Sequence, residues 1–165
     1  MKKIGKILAV AALAMISYSA SAELAPQYSK GTMMANVEFG VAPGWGGSIS
    51  LDYVLFDDWW KGHFSVGGEI DMAKPYKYDT TFGVSPRATY GLNITDQFEV
   101  HAMAEMGFGF RKYDDGVVTD NHTFIVHSEM VGCRFFFTDS FGVMAETGFS
   151  NHWMPQLRAG ICFKF

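Results

Sequence analysis

From Thr32 to the last residue, apolar and polar side chains alternate at every second position in segment after segment, the signature of strands with two unlike faces. The first segment sets Met33, Ala35, Val37, Phe39 and Val41 against Thr32, Asn36, Glu38 and Gly40. Pro43 to Gly47 marks a turn. The second sets Ile49, Leu51, Tyr53 and Leu55 against Ser48, Ser50 and Asp52, and Asp57-Asp58 is expected to turn the chain back. The third carries Phe64, Val66, Gly68 and Ile70 opposite His63, Ser65, Gly67, Glu69 and Asp71. A loop at Lys74 to Asp79 leads to the fourth, Phe82, Val84, Pro86, Ala88, Tyr90 and Leu92 against Thr81, Gly83, Ser85, Arg87 and Thr89.

After a turn at Asn93 to Gln97, the fifth segment is the most regular. Phe98, Val100, Ala102, Ala104, Met106, Phe108 and Phe110 oppose Glu99, His101, Met103, Glu105 and Arg111. A polar loop is expected over Lys112 to Asn121. The sixth segment, His122 to Thr138, has no single parity: Phe124, Val126 and Met130 favour one face and Val131, Phe135 and Phe137 the other. A β-bulge near Met130 would reconcile them. The seventh sets Phe141, Val143, Ala145 and Phe149 against Met144, Glu146 and Ser150, and the eighth sets Leu157, Ala159, Ile161, Phe163 and Phe165 against Arg158, Gly160, Cys162 and Lys164. Two stretches echo each other: Thr95-Asp96-x-Phe98-x-Val100 recurs as Thr138-Asp139-x-Phe141-x-Val143.

Eight such strands joined by short turns predict an all-β chain, an eight-stranded antiparallel up-and-down barrel. Which face meets which solvent is decided by three features. The apolar stripes run about 9–11 residues with almost no charge, the length of a tilted strand crossing a bilayer. The opposite stripes mix glycine and serine with isolated charges, as a crowded polar interior would. Aromatic residues gather at both rims: Tyr53, Phe56, Trp59, Trp60, Tyr90, Phe98, Phe137, Phe141, Phe163 and Phe165 at one, and Trp45, Tyr76, Tyr78, Phe110, Tyr113 and Trp153 at the other. Two aromatic girdles are what the two bilayer interfaces select. The apolar faces are therefore expected outward in lipid.

The start of the chain fits export to such a membrane. Lys2, Lys3 and Lys6 precede an apolar run from Ile7 to about Ile16, and Ala20-Ser21-Ala22 follows, the order of a cleavable secretory leader. The expected organisation is a signal peptide at 1–22, an N-terminal segment at 23–31 and a transmembrane β-barrel at 32–165. Without the three leader lysines, ten basic residues face 17 acidic ones, a net charge of about −7 that gives no support to nucleic-acid binding. Glycine (18 residues) and aromatics (16%) are both abundant, as a β-rich chain requires. Cys133 and Cys162 fall on strands separated by one other, about 9–10 Å apart at adjacent-strand spacing, too far for a disulfide.

The stretch Thr32 to Phe165 resembles the small outer-membrane barrels of the OmpX and OmpA-transmembrane type. The final strand carries the resemblance most sharply, with apolar residues at every second position and Phe165 at the terminus. The resemblance implies a place in the bacterial outer membrane, contact with its lipid and lipopolysaccharide, and delivery by periplasmic chaperones. It also implies that Ile161, Phe163 and Phe165 form the signal read by the outer-membrane assembly machinery. The long outer loops of that family are not matched by the short loops expected here.

An eight-stranded barrel is just wide enough for side chains to fill. The interior is expected to hold a polar network of Glu38, Asp52, Glu69, Asp71, Glu99, Glu105 and Glu146 with Arg87, Arg111, Arg158 and Lys164. Arg87 is placed near its middle with Glu69 or Glu105 in reach. Buried charge must be paired or neutralised, so such a network would plug the barrel. Glu146, Ser150 and His152 share a face near a strand end and suggest a hydrolase. However, residues two apart on a strand stand about 6.6 Å from each other, and the lipid A deacylase barrels carry His-x-Ser-Asn where this chain has Ser150-Asn151-His152. No enzymatic activity, cofactor or metal is expected, His63 and His101 being isolated lumenal residues. The expected role is a structural or surface-interaction barrel presenting Lys74, Tyr76, Lys77, Tyr78 and Trp153 to lipopolysaccharide, host or another surface partner. A narrow conduit for small apolar molecules, as in OmpW-like barrels, is the alternative, and it would need an apolar lumen.

Overall fold

The structure is a computed structural model that describes residues 28–151 and 154–165. Eight antiparallel strands follow one another around a closed barrel: β1 (Met33–Val41), β2 (Trp45–Trp59), β3 (Gly62–Lys74), β4 (Asp79–Asn93), β5 (Phe98–Asp114), β6 (Thr119–Phe136), β7 (Phe141–Ser150) and β8 (Leu157–Lys164). The ring closes where β8 pairs with β1, from Met34↔Lys164 to Val41↔Leu157. At the bottom of this seam Met33 N–H donates to Phe165 O at 3.0 Å and Phe165 N–H to Met33 O at 2.9 Å. No helix among the described residues is long and apolar enough to cross a membrane. The expected leader, 1–22, and residues 23–27 lie outside the described residues.

Alternation along each strand sends the apolar set outward. Ile49 and Phe108 are 61% and 67% exposed, while Glu99 and Arg134 are fully buried. Cys133 points outward from β6 and Cys162 inward from β8, and both are free thiols.

Three expectations are corrected. The chain does not turn at Asp57-Asp58: β2 continues to Trp59, through register shifts at Val54/Phe56 and Phe56/Trp59, and the turn lies at Trp60-Lys61. Both turn residues have positive φ, 51° and 65°, the backbone twist that a two-residue hairpin between right-twisted strands requires. The polar stretch 112–121 is mostly strand rather than loop. β5 and β6 pair continuously from Phe98↔Phe135 to Asp114↔Thr119, leaving only residues 115–118 as the connection. Finally, β6 has no bulge near Met130, because its pairing with both β5 and β7 is unbroken there. Even-numbered residues from Phe124 to Phe136 face inward throughout. The parity looked mixed because Phe124, Val126 and Met130 fill apolar parts of the interior, while His127 and Glu129 sit on the outer wall.

The sequence echo is a repeated turn. Thr95 Oγ1 accepts from Gln97 N–H at 3.2 Å and Phe98 N–H at 3.0 Å. Thr138 Oγ1 accepts from Ser140 N–H at 3.4 Å and Phe141 N–H at 3.0 Å. Each hydroxyl holds its turn closed and starts the next strand in the same register.

Glu129 is in register with outward-facing Ala104 on β5 and Phe149 on β7. A carboxyl group on the hydrocarbon side is costly. Replacing Glu129 with Leu is expected to stabilise the barrel folded in lipid vesicles by about 1 kcal/mol or more, measured by urea unfolding. A barrel with that face in water would show no gain.

Candidate functional site

The interior is layered. Near the end that holds the C-terminus, Met34, Val54, Phe136, Met144 and Cys162 form an apolar floor completed by Tyr28. Tyr28 precedes β1 and enters the barrel mouth: its ring centroid lies 4.2 Å from that of His63 and 6.2 Å from that of Phe136. Its hydroxyl donates to Glu99 Oε2. Lys164 Nζ sits 5.3 Å from the Tyr28 ring centroid and 5.0 Å from that of Phe136. Toward the opposite end Ala73, Val126 and Met154, with Phe124 against them, form a smaller apolar roof. Nothing in the alternation pattern pointed to Tyr28, because it lies before the first strand.

Between floor and roof the charged side chains interlock. Arg134 Nη1 donates to Glu99 Oε1 at 2.8 Å, and Nη2 lies 3.8 Å from Asp52 Oδ2. Arg87 meets three carboxylates: Asp52 Oδ1 at 3.2 Å from Nε, Glu69 Oε2 at 2.5 Å from Nη1 and Glu146 Oε1 at 3.5 Å from Nη2. His101 Nε2 is 2.8 Å from Glu146 Oε1. Arg158 Nη1 pairs with Glu69 Oε1, and its Nη2 lies 3.3 Å from Glu105 Oε1 and 3.6 Å from Asp71 Oδ1. Ser128 Oγ also donates to Glu105 Oε1, at 2.6 Å. Of the two partners expected for Arg87, Glu69 contacts it, while Glu105 is turned to Arg158 and Ser128. Arg134, absent from the expected network, is central to it. The unresolved parity of the sixth strand had hidden it.

Two of these contacts skip a strand, and each crosses a glycine. Asp52 and Arg87 flank Gly67 in one row, and His101 and Glu146 flank Gly132 in another. A Cβ on Gly67 would lie 2.6 Å from Asp52 Oδ1, and one on Gly132 would lie 2.7 Å from His101 Nε2. Only an absent side chain lets these pairs meet.

The other expected residues fall at the ends or outside the network. Arg111 is at the far rim, where its Nε donates to Asp79 Oδ1 at 2.7 Å and its side chain is 21% exposed. Glu38 is buried on β1. Lys74, Tyr76, Lys77 and Tyr78 are exposed at the β3–β4 connection, with Lys77 Nζ 5.0 Å from the Tyr78 ring centroid and Tyr78 against Tyr113 at 6.2 Å. Trp153 and His152 lie outside the described residues. Ile161 and Phe165 point outward on or just after β8. In the suggested hydrolase set, Glu146 is engaged by His101 and Arg87, and Ser150 Oγ is buried 3.0 Å from Ser128 Oγ. At the β5–β6 tip, Asp115 Oδ1 accepts from Val118 N–H at 2.8 Å and Val117 N–H at 2.9 Å, which holds this carboxyl below its ordinary pKa and fixes the turn.

Residues 8–153 match the family described as outer membrane protein beta-barrel domain. The fold is similar to that of the N-terminal β-barrel domain of OprF from Pseudomonas aeruginosa, with a TM-score of 0.62 and 14% identity over 84% of this chain and 100% of that one. It is also similar to Ail, the attachment invasion locus protein of Yersinia pestis, with a TM-score of 0.55 and 10% identity over 83% and 100%. Neisserial surface protein A matches with a TM-score of 0.51 and 18% identity over 81% and 95%. No curated protein sequence matches the chain.

The two kinds of ion pair respond differently to substitution. Arg87→Met leaves Asp52, Glu69 and Glu146 facing one another in a buried layer, and a loss of about 3–5 kcal/mol is expected in urea unfolding from lipid vesicles. Arg111→Ala, at the partly exposed rim, is expected to cost about 1 kcal/mol or less. Equal losses would mean that the interior is as well solvated as the rim.

Proposed function

The chain belongs to the outer membrane protein β-barrel family and resides in the bacterial outer membrane, and from that premise we propose that it is a surface-interaction barrel. In this reading a trunk closed by its own side chains presents the β5–β6 hairpin and the adjoining loops to molecules outside the cell. Export with removal of residues 1–22, and recognition of Ile161, Phe163 and Phe165 by the outer-membrane assembly machinery, belong to the same reading.

One observation carries it. β5 and β6 remain paired up to Asp114↔Thr119, whereas β6 stops pairing with β7 at Ser128↔Ser150. The hairpin therefore outreaches its neighbour by the nine residues Thr119 to His127, a segment whose residues 119–123 are all exposed. Asn151 covers its base, with N–H donating to His127 O at 3.2 Å and Nδ2 to Ile125 O at 2.6 Å. Val117, 91% exposed, and Val118 crown the tip. An uncovered strand edge with apolar residues at its crest is a liability unless a partner uses it. Lipopolysaccharide or a host surface molecule is the proposed partner. Layered ion pairs in the trunk favour this reading over an apolar conduit, whose solute would have to displace buried guanidinium and carboxylate groups.

Two measurements test it. Purified barrel in planar bilayers is expected to pass no steady ionic current; persistent current would refute the closed trunk. Deleting residues 112–121 is expected to abolish binding to lipopolysaccharide or to host cells, while the unboiled protein keeps its folded mobility on an SDS gel. Undiminished binding by that folded variant would refute the hairpin as the contact.

A further inference from the structure

We propose that the outward face of β6 and β7 is a contact surface for a second copy of this chain within the membrane, each copy's Glu129 pairing with the partner's His127.

Depth is the first observation. Along β5 and β6, Phe98↔Phe135 marks one aromatic rim and Phe110↔Thr123 the other, and Ala104↔Glu129 stands midway, six residue pairs from each. With a rise of ~3.3 Å per residue and the usual strand tilt of about 40°, that is roughly 15 Å from either rim. A Glu side chain spans only a small part of that distance, so its carboxylate cannot reach headgroups or water. Glu129 is exposed on the outer wall, and its side chain has no hydrogen bond or ion pair with any described residue. An ionisable group at membrane depth is costly where it stands alone and calls for a partner.

The surroundings of Glu129 are the second observation. Among the described outward positions between the two rims, Glu129 is the one carboxylate and His127 the one imidazole. The other polar side chains of that wall, Cys133 and Thr147, lie on the same two strands. Around them the wall is low: Ala102 and Ala104 flank Val131 and Glu129 on the β5 side, and Ala145 lies between Cys133 and Ala159. The opposite wall, on β2 and β3, carries bulky Ile49, Leu51, Ile70 and Met72. In lipid, close approach of two transmembrane surfaces favours small residues with a few polar groups to join them.

Charge complementarity selects a second copy as the occupant. His127 and Glu129 are two residues apart on one face, so the surface carries both an acid and a base. On a tilted strand they are offset by about 5 Å in height and about 4 Å sideways. A two-fold axis along the membrane normal, passing between them, sets each Glu129 directly below the partner's His127. One contact then satisfies both groups twice, as an isologous interface requires. Both already face hydrocarbon in the single barrel, so pairing them needs little further desolvation. Glu129 is thus a cost to the single barrel, which its replacement by Leu would relieve, and a contact in the dimer, which the same replacement would remove.

The test is sedimentation equilibrium of the full refolded barrel in density-matched detergent micelles, with unboiled mobility on an SDS gel confirming that each variant is folded. Wild type is expected to show a monomer–dimer equilibrium. Glu129→Leu and His127→Leu should each weaken the dimer about tenfold, and the double variant should lose little more than either single one. Leu51→Ala, on the opposite wall, should leave the dimer unchanged. Wild type that stays monomeric at every protein-to-detergent ratio would overturn the proposal. So would undiminished dimers in the two single variants, an equal loss in Leu51→Ala, or additive losses in the double variant, since the two side chains would then not meet across the interface.

Discussion

In hydrocarbon no water is present to hydrogen-bond a peptide group, so every backbone N–H and C=O must find its partner within the chain. For a chain crossing on strands, that means a closed ring, and the β1–β8 seam is where the ring succeeds or fails. Its register holds from Met34↔Lys164 to Val41↔Leu157, and the Met33–Phe165 pair finishes it at the bottom. Closure with only eight strands then fixes the scale of everything inside. The lumen is just wide enough for side chains to fill, so long charged residues from opposite walls meet one another. Arg158 on β8 can reach Glu69 on β3 and Glu105 on β5 because the ring is small.

Within that space, small residues matter as much as charged ones. Where two charged side chains on strands once removed must touch, the strand between them offers glycine: Gly67 between Asp52 and Arg87, Gly132 between His101 and Glu146. The guanidinium and carboxylate groups thus lie along the wall as well as across the lumen, and they form a continuous layer. Apolar clusters lie on both sides of this layer, and one of them borrows Tyr28 from outside the strand ring.

Most of this was legible in the sequence because the periodicity is physical. A side chain facing lipid and one facing the lumen meet opposite solvents, so selection writes period two into every strand. Parity alone placed Glu69, Arg87, Glu99, Glu105 and Arg158 on the buried face. It became unreadable where the rule relaxes. In β6 the interior turns apolar at Phe124, Val126 and Met130, and the outer wall carries His127 and Glu129. The two signals crossed, and Arg134 was lost with them. Turn composition misled in two places: Asp57-Asp58 looks like a turn but lies within β2, and the polar run 112–121 reads as loop because a hairpin rising beyond its neighbours has no lipid face to mark it. Tyr28 was invisible for a different reason, since a single aromatic before the first strand has no period to belong to. Contacts between strands far apart in sequence, such as Arg158 with Glu69 and Glu105, required the closed ring before they could be recognised.

The cost of burying so much charge raises the question of why the lumen is not simply apolar, and register gives an answer. In a bilayer both faces of an all-apolar strand are equally content, so a slip of one residue would exchange the faces at little penalty. An ionic interior removes that degeneracy. Sliding β4 by one residue against its neighbours would turn Arg87 into hydrocarbon, at a cost of about 2–4 kcal/mol at the midplane. The slip would also leave Asp52, Glu69 and Glu146 without their shared cation. The same slip would put Pro86 or Ala88 where Gly67 now faces Arg87, and no pair could form across that row. The buried charges thus act less as adhesive than as an alignment key, cheap in the correct register and costly in every adjacent one. A trunk locked in this way can support a β5–β6 hairpin that stands clear of β7 without the barrel below it shifting.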